Sequence, residues 1–327
     1  MWFVWALVST LAWGIADIFY KKGTDETDGQ SHLKIAVWVG MVMGITAIAL
    51  LPFAESGFSV VSLLQNAVLY APASLAYIIS MVIGYAGLRY LELSIISPIQ
   101  NASGAFSMIA MIIYFLVTGG ADEISEEYSI LDFVGTPFII AGVIALAIIE
   151  KKLSSEAGDV NAKNDQHNRK YRLGVLALLF PILYCIFDTI GTAADGIILD
   201  EEKGLGLGEI DVLVLYGLTF FAAGLIVWIY MLIKNGRPYN PFTKKDITTK
   251  GTAAVAEEFG QVFYVYAMAA KPLVAAPMIA SYCIVSVILS RIFIKEKLKA
   301  SQYACVISVI IGIVLLGISE GIGEAAD

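Results

Sequence analysis

Two aspartates stand inside apolar stretches of membrane length, and each follows an aromatic residue by four positions. Trp13 and Asp17 lie in WFVWALVSTLAWGIADIFY, and Tyr184 and Asp188 lie 171 positions later in LGVLALLFPILYCIFDTIGTA. Residues four apart share one helix face, so each pair presents a ring and a carboxylate together. A carboxylate in the middle of a spanning helix costs roughly 2.5–3.5 kcal/mol on insertion scales. The repeat predicts a cation or proton station in each half; a carboxylate held by serine, threonine or backbone donors is the structural alternative.

A third set of polar residues follows one face of the segment GTAAVAEEFGQVFYVYAMAA. Glu257, Gln261 and Tyr264 are spaced i, i+4, i+7, whereas Glu258 points about 100° away at 3.6 residues per turn. Two neighbouring acids cannot both face lipid in ionised form. We expect Glu257 in a cavity and Glu258 at the cytoplasmic interface, or one of them protonated. Alternatively, the helix begins near residue 257 and both are first-turn acids favoured by the helix dipole.

Four further candidates stand at membrane depth in the first half. Tyr77 and Tyr85 can present hydroxyls or ring faces to a ligand, although the small residues between them are also typical of close helix packing. Gln100 and Asn101 follow in the next apolar segment and need hydrogen-bond partners, either each other or a ligand. We include all four among the candidate binding residues.

The sequence contains no familiar motif for metal binding or catalysis. The three cysteines, Cys185, Cys283 and Cys305, lie in apolar runs without a CxxC or Cys/His pattern, which indicates packing. The zinc-protease motif HExxH and the phosphate-binding motif GxxxxGKS/T are absent from the sequence. We therefore expect no enzyme activity, no catalytic residue, no cofactor, no metal and no ATP-driven mechanism.

The elements that position these residues are membrane helices. Hydrophobic residues make up 58% of the 327 residues and charged residues 15%, with a mean hydropathy of +0.77. Soluble domains carry about a quarter charged residues, so the composition excludes an ordinary soluble protein. The first apolar run follows no basic stretch, so we expect a retained helix and not a cleaved signal peptide. The sequence predicts ten spanning helices, numbered helix 1 to helix 10: 2–21, 33–53, 66–89, 93–118, 131–150, 172–194, 211–233, 251–270, 272–294 and 300–319.

The charge of the loops predicts how these helices cross the membrane. Of the 21 Lys and Arg residues, 19 follow an odd-numbered helix, and the exceptions are Lys203 and Lys271. The positive-inside rule then places those loops in the cytoplasm and both termini outside, in a multi-pass protein of the cell membrane. Helix 1 would run inward, so Asp17 is predicted in the cytoplasmic half of the bilayer and Asp188 in the outer half.

The internal repeat extends beyond the aspartates. Aligning YAGLRYLELSIISPIQ with YVYAMAAKPLVAAPMI matches Tyr85 with Tyr264 and Pro98 with Pro277. Each half then holds five helices, and five is odd, so the halves cross the bilayer in opposite senses. The predicted architecture is an all-α membrane protein of two inverted five-helix repeats, 1–150 and 172–327, joined by a polar cytoplasmic linker, 151–171.

The chain resembles the EamA family of the drug/metabolite transporter superfamily. The segments that carry the likeness are LAWGIADIFYKKG, YAGLRYLELSIISPIQ and QVFYVYAMAAKPLVAAPMIASYCIVSVILSRIFIKEKLKASQYACVISVIIGIVLLG. The resemblance implies inverted five-helix repeats, a cavity lined mainly by helices 1, 3, 4, 6, 8 and 9, and transport of small metabolites. The chain departs from the family in its acidic loop between helices 4 and 5, which lacks a Gly-Glu turn, and in its predicted outside termini.

The candidate residues combine acids and aromatic rings without Lys or Arg at the same depth, which favours a small organic cation or amine as substrate. We predict a secondary-active transporter working by alternating access, with protons as the coupling ion at Asp17 or Asp188. Two alternatives stay open: an exporter of neutral or zwitterionic metabolites such as amino acids, and a non-transporting membrane scaffold. The expected partners are a small-molecule substrate, the lipid bilayer and protons, with no nucleic acid; a homodimer stays open.

Overall fold

The computed structural model describes residues 1–25, 27–54, 59–91, 93–119, 124, 128–161, 174–200, 204–293 and 299–326, which form helices joined by turns. The main helices of the first half are α1 (Trp2–Gly23), α2 (Ser31–Leu50), α3 (Val60–Gly87), α4 (Leu93–Gln100), α5 (Ser103–Val117) and α6 (Ile130–Asn161). Those of the second half are α7 (Leu179–Leu199), α8 (Glu209–Asn235), α9 (Thr252–Ala270), α10 (Pro272–Ala280), α11 (Tyr282–Phe293) and α12 (Ala300–Ala326).

The membrane character of the helices confirms the predicted fold class. Within the described ranges, nine helical segments are long and apolar enough to cross a bilayer. The remaining predicted segment, helix 8 (251–270), forms α9, but Glu257, Glu258 and Gln261 lower its hydropathy. The chain is therefore an all-helical membrane protein. The inverted relation of its two halves stays a prediction.

Two of the helix ends that differ from those expected bear on the linker and the site. The helix predicted over 131–150 continues as α6 to Asn161, because the polar residues after position 150 extend a helix already nucleated in the apolar part. The helix predicted to end at residue 194 ends at Leu199. The second difference places Asp188 at the middle of its helix, as described below.

The fourth predicted helix of each half is broken, where the sequence predicted a continuous helix. α4 ends at Gln100 and α5 begins at Ser103, while α10 ends at Ala280 and α11 begins at Tyr282. Pro98 and Pro277 precede the two breaks by similar distances, and each removes a backbone donor and crowds the preceding turn. The breaks meet in space, since a Cβ on Gly104 would lie 2.5 Å from the Cβ of Ala280.

The closest helix pairs each join one half of the chain to the other. The most extensive contacts are between α1 and α9, α2 and α8, α3 and α7, α5 and α10, and α6 and α12. In the numbering of the predicted helices, these pairs are 1 with 8, 2 with 7, 3 with 6, 4 with 9 and 5 with 10. Exchanging the two halves leaves that set unchanged, as a duplicated five-helix repeat requires. In the α2–α8 pair the backbones nearly touch, because a Cβ on Gly40 would lie 2.5 Å from the carbonyl oxygen of Phe220.

The loops after helices 1, 3 and 7 gather on one face, here called the basic face and comprising residues 27–30, 88–91 and 236–251. There Arg89 donates to the carbonyl oxygen of Gly29 at 3.1 Å, and Asn235 donates to the side chain of Gln30 at 2.8 Å. These contacts tie the loops after helices 1, 3 and 7 together. The helices before them therefore end on the same side of the molecule.

The opposite face, here called the terminal face, comprises Met1, 118–119, 128–129, 204–208 and Lys271. The ammonium group of Met1 pairs with Glu320, which brings the N-terminus beside the end of α12. The Lys271 ammonium lies 5.7 Å from the ring centroid of Tyr128. Successive described loops therefore alternate between the two faces, as the distribution of Lys and Arg predicts.

The orientation in the membrane is tested by reporter fusions. We expect a reporter after residue 327, or inserted at 205 on the terminal face, to report outside. A reporter inserted within 155–168 is expected to report the cytoplasm, because Lys and Arg are retained on that side during insertion. The opposite pattern at all three positions would overturn the charge assignment.

Candidate substrate cavity

All eleven residues singled out in the sequence line one interior cavity. The volume open to the centres of water-sized molecules is about 60 Å³. The predicted residues in its wall are Trp13, Asp17, Tyr77, Tyr85, Gln100, Asn101, Tyr184, Asp188, Glu257, Gln261 and Tyr264. Helical spacing places the predicted residues of one helix on the same face. The packing of α1 against α9 and of α3 against α7 then brings those faces together around the cavity. Binding of a substrate by these residues stays a prediction.

Asp17 is held by two serines from different helices. The hydroxyls of Ser97 on α4 and Ser286 on α11 both donate to its Oδ2, each at 2.7 Å. The carboxylate is partly accessible from the cavity. The serine donors of the structural alternative are therefore present, and they fix a carboxylate that still faces the cavity. Asp17 lies four to five residues past the centre of α1, toward the basic face, as the sequence predicted.

Asp188 has a similar partner but a different depth from the one predicted. The hydroxyl of Ser103, the first residue of α5, donates to its Oδ2 at 2.6 Å. Because α7 runs on to Leu199, Asp188 lies at the middle of that helix and not toward its end, where the predicted helix bounds had placed it. Asp17 and Asp188 thus border the same cavity from its basic side and its centre.

The two glutamates of α9 separate as their spacing requires. Glu257 lines the cavity, and Glu258 is buried against α2 near Thr46 and so does not reach an interface. α9 begins five residues before Glu257, so neither acid belongs to its first turn. The carbonyl oxygen of Glu257 accepts a 3.0 Å hydrogen bond from Nε1 of Trp13, which locks α1 to α9 at the cavity wall.

Aromatic rings form much of the wall. The Trp13 ring stacks on Tyr264 with centroids 5.2 Å apart, and Tyr282 meets its edge at 5.8 Å. Toward the basic face, the rings of Tyr20 and Tyr85 lie 4.9 Å apart. Ring faces carry partial negative charge, so a wall of this kind attracts cations.

Besides Ser103, four polar wall residues were missed in the sequence. Tyr20 shares a face with Asp17 at spacing i, i+3, and Thr192 shares one with Asp188 at i, i+4, so extending each stripe by one turn finds both. Tyr216 lies on α8 and Tyr282 just after a helix break. Those two had no local pattern, because tertiary packing brings them to the cavity.

The charge of the cavity is unbalanced. Asp17, Asp188 and Glu257 line it, and the described lining residues include no Lys, Arg or His. Nε2 of Gln261 is buried without a hydrogen-bond partner in the described part of the chain, so it is free to donate to a ligand. The cavity can therefore receive a positively charged group, and the Gln261 amide can donate to an acceptor elsewhere on the same ligand.

The apolar helices and the enclosed polar cavity define a multi-pass membrane protein. Residues 203–318 match the model of the EamA-like transporter family, within the drug/metabolite transporter superfamily, which confirms the resemblance over the second half of the chain. A solved structure described as the crystal structure of a protein matches with a TM-score of 0.59 at 11% identity, over 98% of this chain and 97% of that one. At that identity the likeness concerns the fold. No curated protein matches the chain. The matched family is one of transporters, and the second half of this multi-pass membrane protein is similar to it.

Proposed function

We propose that this protein is a secondary-active transporter of small organic cations or amines, working by alternating access with protons as the coupling ion. The observation that carries the proposal is the cavity in which three carboxylates and a wall of rings face each other. A cation that enters this space gains countercharge from Asp17, Asp188 and Glu257 and ring contacts from Trp13 and Tyr264.

Alternating access is supported by the arrangement of the helices. The cavity lies between the two halves, and the closest helix pairs each cross from one half to the other. The fourth helix of each half is broken beside the cavity wall, a feature typical of transporters built from inverted repeats. Movement of one half against the other would then open the cavity to either face.

Proton coupling follows from the chemistry of the same carboxylates. A carboxyl group out of contact with water takes up a proton more readily than it keeps a bare charge, and an arriving cation favours release of that proton. Asp17 and Asp188 each keep a serine donor and each border the cavity, so either can exchange a proton for a bound cation.

The substrate class is tested by a thermal-shift screen of the purified protein against choline, a polyamine, an amino acid and a sugar. A ligand at about 100 times its Kd stabilises the folded state by about 2.7 kcal/mol. We expect stabilisation by the cations alone. Stabilisation by the amino acid in place of the cations would favour an exporter of zwitterionic metabolites.

The role of the ring wall is tested by Trp13→Ala. Loss of a desolvated cation–π contact of about 2 kcal/mol corresponds to about 30-fold weaker choline binding. Trp228→Ala is the matched control, because Trp228 donates to the carbonyl oxygen of Tyr239 outside the cavity. We expect little change in choline affinity in the control. Equal losses in both variants, or equal losses for cations and neutral solutes in Trp13→Ala, would assign Trp13 to packing.

A further inference from the structure

The second acid of α7, Asp195, lies beyond the cavity. Tyr184, Asp188, Thr192 and Asp195 follow one face of the helix at spacings of four, four and three. The first three line the cavity, whereas Asp195 is fully buried outside its wall. At 1.5 Å per residue, Asp195 lies about 10 Å from Asp188 along the axis, toward the terminal face.

A layer of hydroxyls separates Asp195 from the cavity along α7. The hydroxyls of Tyr77 and Tyr264 are 2.6 Å apart, and Tyr77 also donates to Thr192 at 3.1 Å. This tyrosine layer (Tyr77, Thr192 and Tyr264) joins α3, α7 and α9. It closes the cavity on the side of the terminal face.

The surroundings of Asp195 leave its carboxyl group without regular partners. Neither of its oxygens makes a hydrogen bond of regular geometry within the described residues, and neither does the hydroxyl of the buried Tyr70. The hydroxyls of Tyr70, Tyr77 and Tyr264 nevertheless interact with it. An ionised carboxylate without a countercharge is costly in such a place, because hydroxyl groups alone do not neutralise it.

The space around Asp195 fits a proton and not a metal ion. A Cβ on the next residue, Gly196, would lie 2.7 Å from the Sδ of Met111 on α5, so the helices pack closely there. Within the described part of the chain, no group of three His, Cys, Asp or Glu side chains could hold a metal. A proton needs no additional volume and turns the carboxyl into a donor for its tyrosine neighbours.

Asp195 also breaks the internal repeat. The offset that relates Asp17 to Asp188 relates Thr24 to Asp195, so the first half has no acid at the matching position. A proton site in the second half alone would make the path from the cavity to the terminal face different from the path to the basic face, because only the first would contain a buried acid.

We propose that Asp195 is a proton-binding site that exchanges its proton with Asp188 when the tyrosine layer opens toward the terminal face; this role in transport rests on the proposed function. In that step the O–H bond of the Asp195 carboxyl breaks and an O–H bond forms on the Asp188 carboxylate. The negative charge moves from Asp188 to Asp195, and no other reactant is consumed.

The titratable groups facing Asp195 come from four helices. They are Tyr70 and Tyr77 on α3, Asp188 on α7, Tyr216 on α8 and Tyr264 on α9. α5 contributes the neutral Met111, and α4 contributes the neutral Gln100 at the cavity. None of these groups is a cation that could balance a charge on Asp195.

The test is an infrared titration of the purified protein without substrate, which follows the C=O stretching band of protonated carboxyl groups. We expect Asp195→Asn to remove one band that the wild type and the exposed-loop control Asp25→Asn retain. Choline binding in Asp195→Asn should stay within about threefold, below 1 kcal/mol. An unchanged set of bands in Asp195→Asn would overturn the proposal.

A second variant keeps the test decisive if Asp195→Asn does not fold. Tyr70→Phe removes a hydroxyl that interacts with Asp195 and keeps the ring, so we expect the Asp195 band to shift in frequency. A band at its original frequency would count against the site. The proton site and the proposed function can also be told apart. If the Asp195 band titrates in the wild type but no organic cation stabilises that protein, the proton site is supported and the proposed function is wrong.

Discussion

Replacing Asp17 by asparagine is expected to abolish proton-driven accumulation of an organic cation while leaving the protein folded. The amide keeps the size of the side chain and can still accept the hydroxyl hydrogen bonds of Ser97 and Ser286. It can no longer lose a proton. Uptake of labelled choline into proteoliposomes with an imposed pH gradient should therefore fall to the equilibrium distribution, whereas exchange of internal for external choline persists.

Two comparisons make the Asp17→Asn result specific. Asp188→Asn is expected to show the same loss of accumulation, since its carboxyl borders the same cavity and keeps a serine donor. Asp25→Asn removes a charge from the loop after α1, outside the apolar helices, and should accumulate choline like the wild type. Unchanged accumulation and an unchanged pH profile in both cavity variants would make the repeated carboxylates structural and end the coupling hypothesis.

Adding one methyl group at Gly260 is expected to weaken choline binding by at least about tenfold, or 1.4 kcal/mol. A Cβ at this position would lie 2.4 Å from Cδ1 and 2.5 Å from Nε1 of Trp13. The ring must then leave its place, which breaks its hydrogen bond to Glu257 and its stacking on Tyr264. Overpacking of this kind also lowers the free energy of unfolding by about 1–3 kcal/mol.

The control for Gly260→Ala is Gly29→Ala, because nothing lies within 4 Å of a Cβ at Gly29. Its binding and thermal stability should match the wild type. In the double variant Gly260→Ala, Trp13→Phe, the smaller ring relieves the clash, so the thermal stability should recover further than additive effects allow. Normal choline binding in Gly260→Ala alone would show that the position of Trp13 does not shape the site.

The helical period explains why the cavity wall could be predicted from the sequence. Acids and rings that share a face in an apolar segment must face the interior, because lipid would leave them unpaired. That rule placed Asp17, Asp188 and Glu257 correctly in the wall and separated Glu257 from Glu258. It acts within one helix, so it could not find Tyr216 or Tyr282, which tertiary packing brings to the cavity.

The same rule could not predict where a helix ends or breaks. Asp195 was missed because the predicted helix stopped one residue before it, where the sequence AADG is typical of a helix end. The breaks after Pro98 and Pro277 were missed because proline is tolerated in a first helical turn, and in the structure each proline stands in the second. Both cases depend on packing against other helices, which fixes where a helix stops.

The pairing of every helix in one half with a helix in the other has a consequence for how the chain matures. α1 and α3 find their closest neighbours in α9 and α7, which are synthesised later. A five-helix fragment would therefore present its packing surfaces, including the acids of its cavity face, to lipid. We therefore expect the two halves to fold as one unit, with the first half reaching its final packing after the second is inserted.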